Sequence, residues 1–132
     1  MPSTATITAS FSAALRVASF GVPCSHLHGY SYQVSAVVDS RIDAPIDIVK
    51  ASADLQHWLD DQWDHTVLLV DTDHLLGDAI ASVTGQSIVY LKHEPSAEYL
   101  AHYLRSHVLP EMIASPCHQV TLKFGEYSVT AS

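Results

Sequence analysis

From His28 to Asp39 the chain alternates: His28, Tyr30, Tyr32, Val34, Ala36 and Val38 fall on one face, and Ser31, Gln33 and Ser35 on the other. Side chains of an extended chain point alternately to two sides, so the pattern predicts a long strand with one apolar and one polar face. Thr4 to Val17, rich in Thr, Ser and Ala around Ile7 and Phe11, reads as a second long, half-buried strand. Two such strands in a chain of 132 residues leave long edges. Exposed edges invite pairing with other subunits, so an oligomer is expected.

The remaining elements follow from punctuation and periodicity. Ala18 to His26, with Gly21 and Pro23, reads as a loop. Pro45 breaks the chain, and Ile48, Ala51, Leu55 and Leu59 then recur at helical spacing, predicting an amphipathic helix from Asp47 to Asp61. Val67 to Val70 is a short apolar piece. Asp73 to Val83 reads as a shorter helix or turn ended by Gly85, and Ser87 to Leu91 as a strand. Pro95 suits a first helical turn, and Ala97, Leu100, Ala101, Leu104 and Val108 form a stripe ending near Pro110. His118 to Phe124 alternates again. The order predicts a single α+β domain over residues 1–132, an antiparallel four-stranded sheet with helices on one face.

Composition narrows the function. Apolar residues make up 48% and charged residues 15%, enough for a core and too little charge for a disordered chain. Six Lys and Arg against fourteen Asp and Glu give a net charge of −8, which argues against nucleic acid and anionic membrane surfaces as partners. Cys24 and Cys117 form neither a disulfide framework nor a CxxC pair. The first residues lack a basic stretch and an apolar run, and no segment is apolar enough to span a membrane, so a cytoplasmic domain is expected. The nine histidines are about three times ordinary usage.

Three clusters carry chemistry. In Cys24-Ser25-His26-Leu27-His28-Gly29-Tyr30, a thiol and two imidazoles stand at a loop-to-strand junction. His26 and His28 would share one face of an extended strand, a spacing that suits two ligands of one zinc ion or two loop histidines bonded to backbone and water. Asp64-His65 follows the first helix; a carboxylate beside an imidazole orients a proton carrier, or is an ordinary surface pair. His93-Glu94-Pro95-Ser96-Ala97-Glu98 opens the last helix, where Ser96 and Glu98 act as caps or face a ligand. His57, His74, His102, His107 and His118 read as solvated.

Together these pieces resemble the 6-pyruvoyl-tetrahydropterin synthase and 6-carboxytetrahydropterin synthase family. Phe11 to Arg16 is similar to its FSAAHR strand, Cys24 to Tyr32 to its CxxxHGHNY segment, and Asp47-Ile48 to its DF step. Trp63-Asp64-His65 is similar to its LDH motif, and Pro95 to Ala101 to its PTxENLA helix start. The resemblance implies the tunnelling fold, in which strands of several subunits close into a barrel with sites between subunits, as a trimer or a hexamer. It implies Cys24, Asp64 and His65 as proton-transfer groups, Glu98 as a substrate-pocket carboxylate and His28 as one zinc ligand.

The departures from the family pattern are specific. Leu15 and Tyr30 stand where two further zinc-ligating histidines are expected, and neither is a usual zinc ligand. Phe124 replaces the glutamate that pairs with the pterin's guanidine-like edge, Glu126 follows two positions later, and Ser132 comes early for the family's final strand. The expected protein is a lyase- or cyclase-type biosynthetic enzyme without a metal cofactor. It would use Cys24, Asp64 and His65 for elimination, isomerisation or cyclisation of a small non-pterin molecule bound by Leu15, Tyr30, Glu98 and Phe124. Two alternatives stand beside it: a zinc-dependent pterin synthase using His28 and His26 with another histidine, and a non-catalytic small-molecule-binding member of the fold.

Overall fold

The structure, a computed structural model, describes residues 2–132. Strands β1 (Pro2–Leu15) and β2 (His28–Arg41) pair antiparallel over their full fourteen residues, from Pro2 opposite Arg41 to Leu15 opposite His28. The alternation in β2 is realised: Tyr32, Val34, Ala36 and Val38 are buried while Gly29, Ser31 and Gln33 face out. Strand β5 (Cys117–Phe124) lies antiparallel on β2. A two-residue turn at Gly125 and Glu126, with Gly125 at φ 58°, returns the chain as β6 (Tyr127–Ala131).

With β3 (Thr66–Val70) and β4 (Ile88–Leu91), the sheet has six strands, in the order β4-β3-β1-β2-β5-β6, rather than the four expected. The additional strands are β6 and the apolar piece after His65, which is β3. Strand β3 runs parallel to β1 at Ala13–Leu15, and β4 parallel to β3. Thr66, Val67, Leu68 and Leu69 are all buried, so β3 shows no alternation from which a strand is read.

Helix α1 (Ile48–Gln62) starts as expected: Asp47 caps it by accepting the Lys50 N–H at 3.0 Å, and Ala51, Leu55 and Leu59 turn inward. Helix α2 (His74–Thr84) ends at Gly85, at φ 73°, whose N–H donates to Ala81 O. Gly77 of α2 lies so close over Tyr90 that a Cβ there would come within 2.0 Å of the phenol oxygen. Tyr90 stands in register with Leu69, so α2 shields the side of β3 turned away from the main core. Helix α3 (Ala97–Tyr103) is capped by Ser96, which accepts the Tyr99 N–H. Pro110 does not end this segment. A wide turn at Leu104–Val108 precedes it, and Pro110 falls in the first turn of α4 (Leu109–Met112), where a missing N–H costs little. Leu55, Leu59, Leu100, Leu104 and Leu109 cover the inner face of Ile7, Phe11, Val34, Val38, Val120 and Leu122.

Between Thr8 and Ser12 the outer edge of β1 has no strand beside it, and side chains take the place of one. The Thr8 N–H donates to Ser52 Oγ at 3.2 Å and the Ser10 N–H to Gln56 Oε1 at 2.9 Å, while Gln56 Nε2 returns a bond to Ser10 O at 2.8 Å. The Ser12 N–H donates to Asp64 Oδ1 at 2.8 Å. Gln56→Ala removes both bonds at Ser10 and is expected to cost about 1–2 kcal/mol in urea denaturation. Asp43→Ala, which breaks an exposed pair with Arg41 at 3.1 Å, is expected to stay within about 0.5 kcal/mol of the parent.

Candidate functional site

The segment from Arg16 to Leu27 carries Cys24, and two clamps hold it. Arg16 forks onto Asp73, with Nε at 2.7 Å and Nη2 at 2.8 Å from the two carboxylate oxygens, and its Nη1 reaches Ser25 O at 3.4 Å. The Ser19 N–H donates to Glu94 Oε1 at 3.0 Å, and the Ser19 hydroxyl bonds the other oxygen of the same carboxylate. Within the loop, Val17 N–H donates to Cys24 O, and Cys24 N–H to Gly21 O. Both clamps join partners more than fifty residues apart, which is why motif reading did not find them.

Held this way, Cys24 lines a cavity of about 130 Å³ together with Leu15, His28, Tyr30, Tyr32, Glu98 and Phe124. The spacing of β2 brings His28, Tyr30 and Tyr32 to one face, and the β2–β5 pairing sets Phe124 beside them. His28 meets Tyr30 edge-on at 5.1 Å, Tyr30 lies 5.0 Å from Phe124, and Tyr32 stacks on Phe11 at 4.8 Å. Burial, with a smaller contribution from Tyr30, pushes the Tyr32 phenol pKa well above its ordinary value. His28 Nδ1 lies 2.6 Å from the backbone oxygen of His26. A carbonyl only accepts, so Nδ1 carries the proton, and a neutral ring keeps Nε2 as an acceptor. Tyr32 escaped the sequence reading as a site residue, although its parity with His28 and Tyr30 marks it.

Asp64 and His65 stand elsewhere. Trp63 is anchored in the core against Phe11, Trp58 and Tyr103, at 5.4, 5.2 and 5.6 Å. The chain then turns through His65, whose φ of 60° is the one positive value at a non-glycine position among the described residues. His65 N–H donates to Ser12 O, and its Nδ1 lies 2.8 Å from Asp64 Oδ2, so the two side chains do touch. Burial tends to raise the Asp64 pKa, but the Ser12 N–H and the His65 side chain outweigh it and hold the carboxyl below its ordinary value. The imidazole is 82% exposed, and its Nε2 has no partner among the described residues. Asp64 and His65 border the outward face with Ser12 and Ser31, whereas Leu15 and Phe124 belong to the inward face and Tyr30 borders both. One copy therefore gathers Leu15, Cys24, His28, Tyr30, Glu98 and Phe124, and keeps Asp64 and His65 across the sheet.

A family model, 6-pyruvoyl tetrahydropterin synthase, matches residues 4–129. The chain belongs to this family. A 6-carboxy-5,6,7,8-tetrahydropterin synthase of Rickettsia bellii is 29% identical over 115 residues, covering 84% of this chain and 83% of the relative. The corresponding protein of Rickettsia felis is 28% identical over 106 residues, covering 77% of each. A 6-pyruvoyltetrahydropterin synthase of Plasmodium vivax superposes with a TM-score of 0.70 at 16% identity, covering 99% of this chain and 97% of its own. An uncharacterised protein of Wolinella succinogenes superposes at 0.77 with 15% identity, covering 99% and 98%. These likenesses bear out the tunnelling fold, and the family assignment is that of a pterin-synthase-like, lyase-type enzyme.

The donor set at the three positions that the resemblance assigns to zinc ligands is incomplete. Leu15, His28 and Tyr30 supply one imidazole, one phenol and one aliphatic chain, where a catalytic zinc is held by three nitrogen, sulfur or carboxylate donors. Among the described residues no three His, Cys, Asp or Glu side chains converge as a metal site requires. His26 precedes β2 in an exposed turn closed by its N–H on Pro23 O, and does not line the cavity. Glu126 sits exposed in the β5–β6 turn and does not reach the cavity either. Among the described residues no helix is long and apolar enough to cross a membrane.

The left-handed backbone at His65 predicts a trade-off. His65→Gly is expected to gain about 1 kcal/mol in thermal or urea unfolding while removing the imidazole. Asp64 predicts a pH effect of definite sign. Its depressed pKa contributes stability above the ordinary carboxylate value of about 4, and that contribution is lost as pH falls through the folded value. The stability difference between the parent and Asp64→Asn should therefore shrink from pH 6 to pH 3; an unchanged gap would contradict the assignment.

Proposed function

We propose that this protein is a divergent pterin-synthase-like enzyme that moves protons on a small non-pterin molecule, in elimination, isomerisation or ring closure, without zinc at the inherited position. The observation that carries the reading is the composition of the Cys24 cavity. Thiol, imidazole and carboxylate groups line it, while two of the three expected metal donors are replaced by Leu15 and Tyr30. Phe124 stands where a carboxylate would accept from a pterin's donor edge, and leaving such donors unpaired would reject that ligand strongly. The substrate-side residues are Leu15, Tyr30, Glu98 and Phe124.

The proton-transfer roles follow from the hydrogen bonds. His65 donates from Nδ1 to Asp64, which fixes the ring and leaves Nε2 to take a proton from substrate carbon or oxygen. Cys24 supplies the second group, giving a proton to the opposite side of the substrate or taking one from it. Since the sheet stands between these groups in one copy, the reading calls for a homo-oligomer, a trimer or hexamer, in which the His65 of one copy meets the Cys24 cavity of the next. Apolar surface supports assembly: Leu75 and Val83 on α2 are 79% and 84% exposed. The edge strands β4 and β6 offer backbone to a neighbour.

Substrate consumption by the purified protein, followed by mass spectrometry in a metabolite extract, tests the roles. Cys24→Ala and His65→Ala are each expected to lose at least about a hundredfold, the lower range for a positioned proton-transfer group. Two fully active variants overturn the assignment. Hetero-oligomers formed from equal amounts of the two variants are expected to regain about one quarter of parental activity, because a head-to-tail ring pairs intact groups at that frequency. Activity unaffected by chelator, with metal below about one tenth per chain, is expected; an intact three-donor site would carry close to one.

A further inference from the structure

The Cys24 cavity also has a size and a charge preference. At about 130 Å³ it is close to the roughly 150 Å³ of an apolar protein cavity that admits benzene. Three rings wall it: Tyr30 and Phe124 at 5.0 Å, Tyr32 and Phe124 at 5.3 Å, and Tyr30 and Tyr32 at 5.9 Å. That space suits one ring rather than a fused pair. Tyr32 is only 2% exposed, and among the described residues its hydroxyl has no hydrogen-bond partner, although it belongs to a residue lining the cavity. No buried side-chain oxygen or nitrogen lacks a partner among the described residues, so the small exposure of Tyr32 includes its hydroxyl, which is open to water or to an occupant.

The charges agree in sign. Glu98, exposed at the mouth, has no ion-pair or hydrogen-bond partner among the described residues, and no Lys or Arg lines the cavity. Of the two cations next in sequence to lining residues, Arg16 is committed to Asp73, and Lys123 borders the other cavity beside Asp60 and Asp64. The chain as a whole carries −8. A net negative field draws cations toward such a mouth and repels anions, while aromatic faces attract a cation directly.

We propose that this cavity takes a small monocyclic organic cation: one ring of benzene size bearing an ammonium or amidinium group. The ring packs against the contiguous cluster of Tyr30, Tyr32 and Phe124 where it faces the cavity, and the charged nitrogen bonds the Glu98 carboxylate. This rests on the reading of the Cys24 cavity as the substrate site and adds the class of molecule it accepts.

Calorimetric titration of the full chain at low salt with benzylamine, benzyl alcohol and benzoate tests it, since the three probes share a ring and differ in charge. Benzylamine is expected to bind at least about tenfold more tightly than benzoate, and Glu98→Gln to abolish that preference. Phe124→Leu is expected to weaken benzylamine at least about threefold. Equal or better binding of benzoate, a preference that survives Glu98→Gln, or no benzylamine binding at millimolar concentration overturns the proposal. Glu98 is exposed, so its variant is expected to melt like the parent. Cys24→Ser separates this proposal from the enzymatic one. Cation binding kept while turnover is lost supports both, whereas a Cys24-dependent turnover without cation preference overturns only this one.

Discussion

The free edge of β1 is the constraint to which most of the site answers. Along β1, strand β3 reaches only Ala13–Leu15, so the outward N–H groups of Thr8, Ser10 and Ser12 need other acceptors. Alternate residues of a strand are about 6.8 Å apart, and a four-residue step along a helix rises about 6 Å. Helix α1 exploits that near-match, offering Ser52 to Thr8 and Gln56, four residues on, to Ser10. After the helix ends, Asp64 takes the N–H of Ser12. One carboxylate oxygen is thereby committed to the sheet, and the other is left for His65. The same edge contact that lets α1 replace a strand also positions the proton-carrying pair.

His65 must then turn the chain sharply enough for β3 to lie beside β1. Its N–H bonds Ser12 O, and Thr66 Oγ1 closes on Trp63 O at 2.6 Å, so the left-handed residue is held from both sides. The buried Trp63 before it prevents the turn from relaxing by sliding the helix end. Strain kept at an exposed imidazole by a buried anchor fits a residue retained for its side chain rather than for its backbone. A glycine would be the easier choice for the fold alone.

Parts of this arrangement were legible in the sequence because their cause is local. The alternation from His28 to Asp39 marks both the strand and its inward face, and Asp47 and Gly85 mark helix ends that the structure reproduces. Strand β3 was illegible because Val67 and Leu69 are buried on one side and Leu68 on the other, which erases the alternation. The continuation past Pro110 depends on a wide turn that no residue type announces. The Asp64–His65 contact was legible as a motif, but its bond to Ser12 depends on how α1 lies along β1. The clamps Arg16–Asp73 and Ser19–Glu94 are likewise tertiary facts. Cys24 and Glu98, though separate in sequence, meet only because those clamps fold the loop over the start of α3.

Leu15, Tyr30 and Phe124 line one cavity and shape it together. Leu15 is 2% exposed and stands opposite His28 in the β1–β2 ladder, while Tyr30 contacts both His28 and Phe124. Each is a side chain that its neighbours in the cluster pack against. A histidine at position 15 would place an imidazole where Leu15 is only 2% exposed, against an apolar wall. A half-restored polar site is worse than an apolar one, because the desolvation cost is paid in full while the compensating bonds are not. The cavity is therefore a self-consistent and largely apolar packing solution, with Cys24, His28 and Glu98 as the titratable groups that line it.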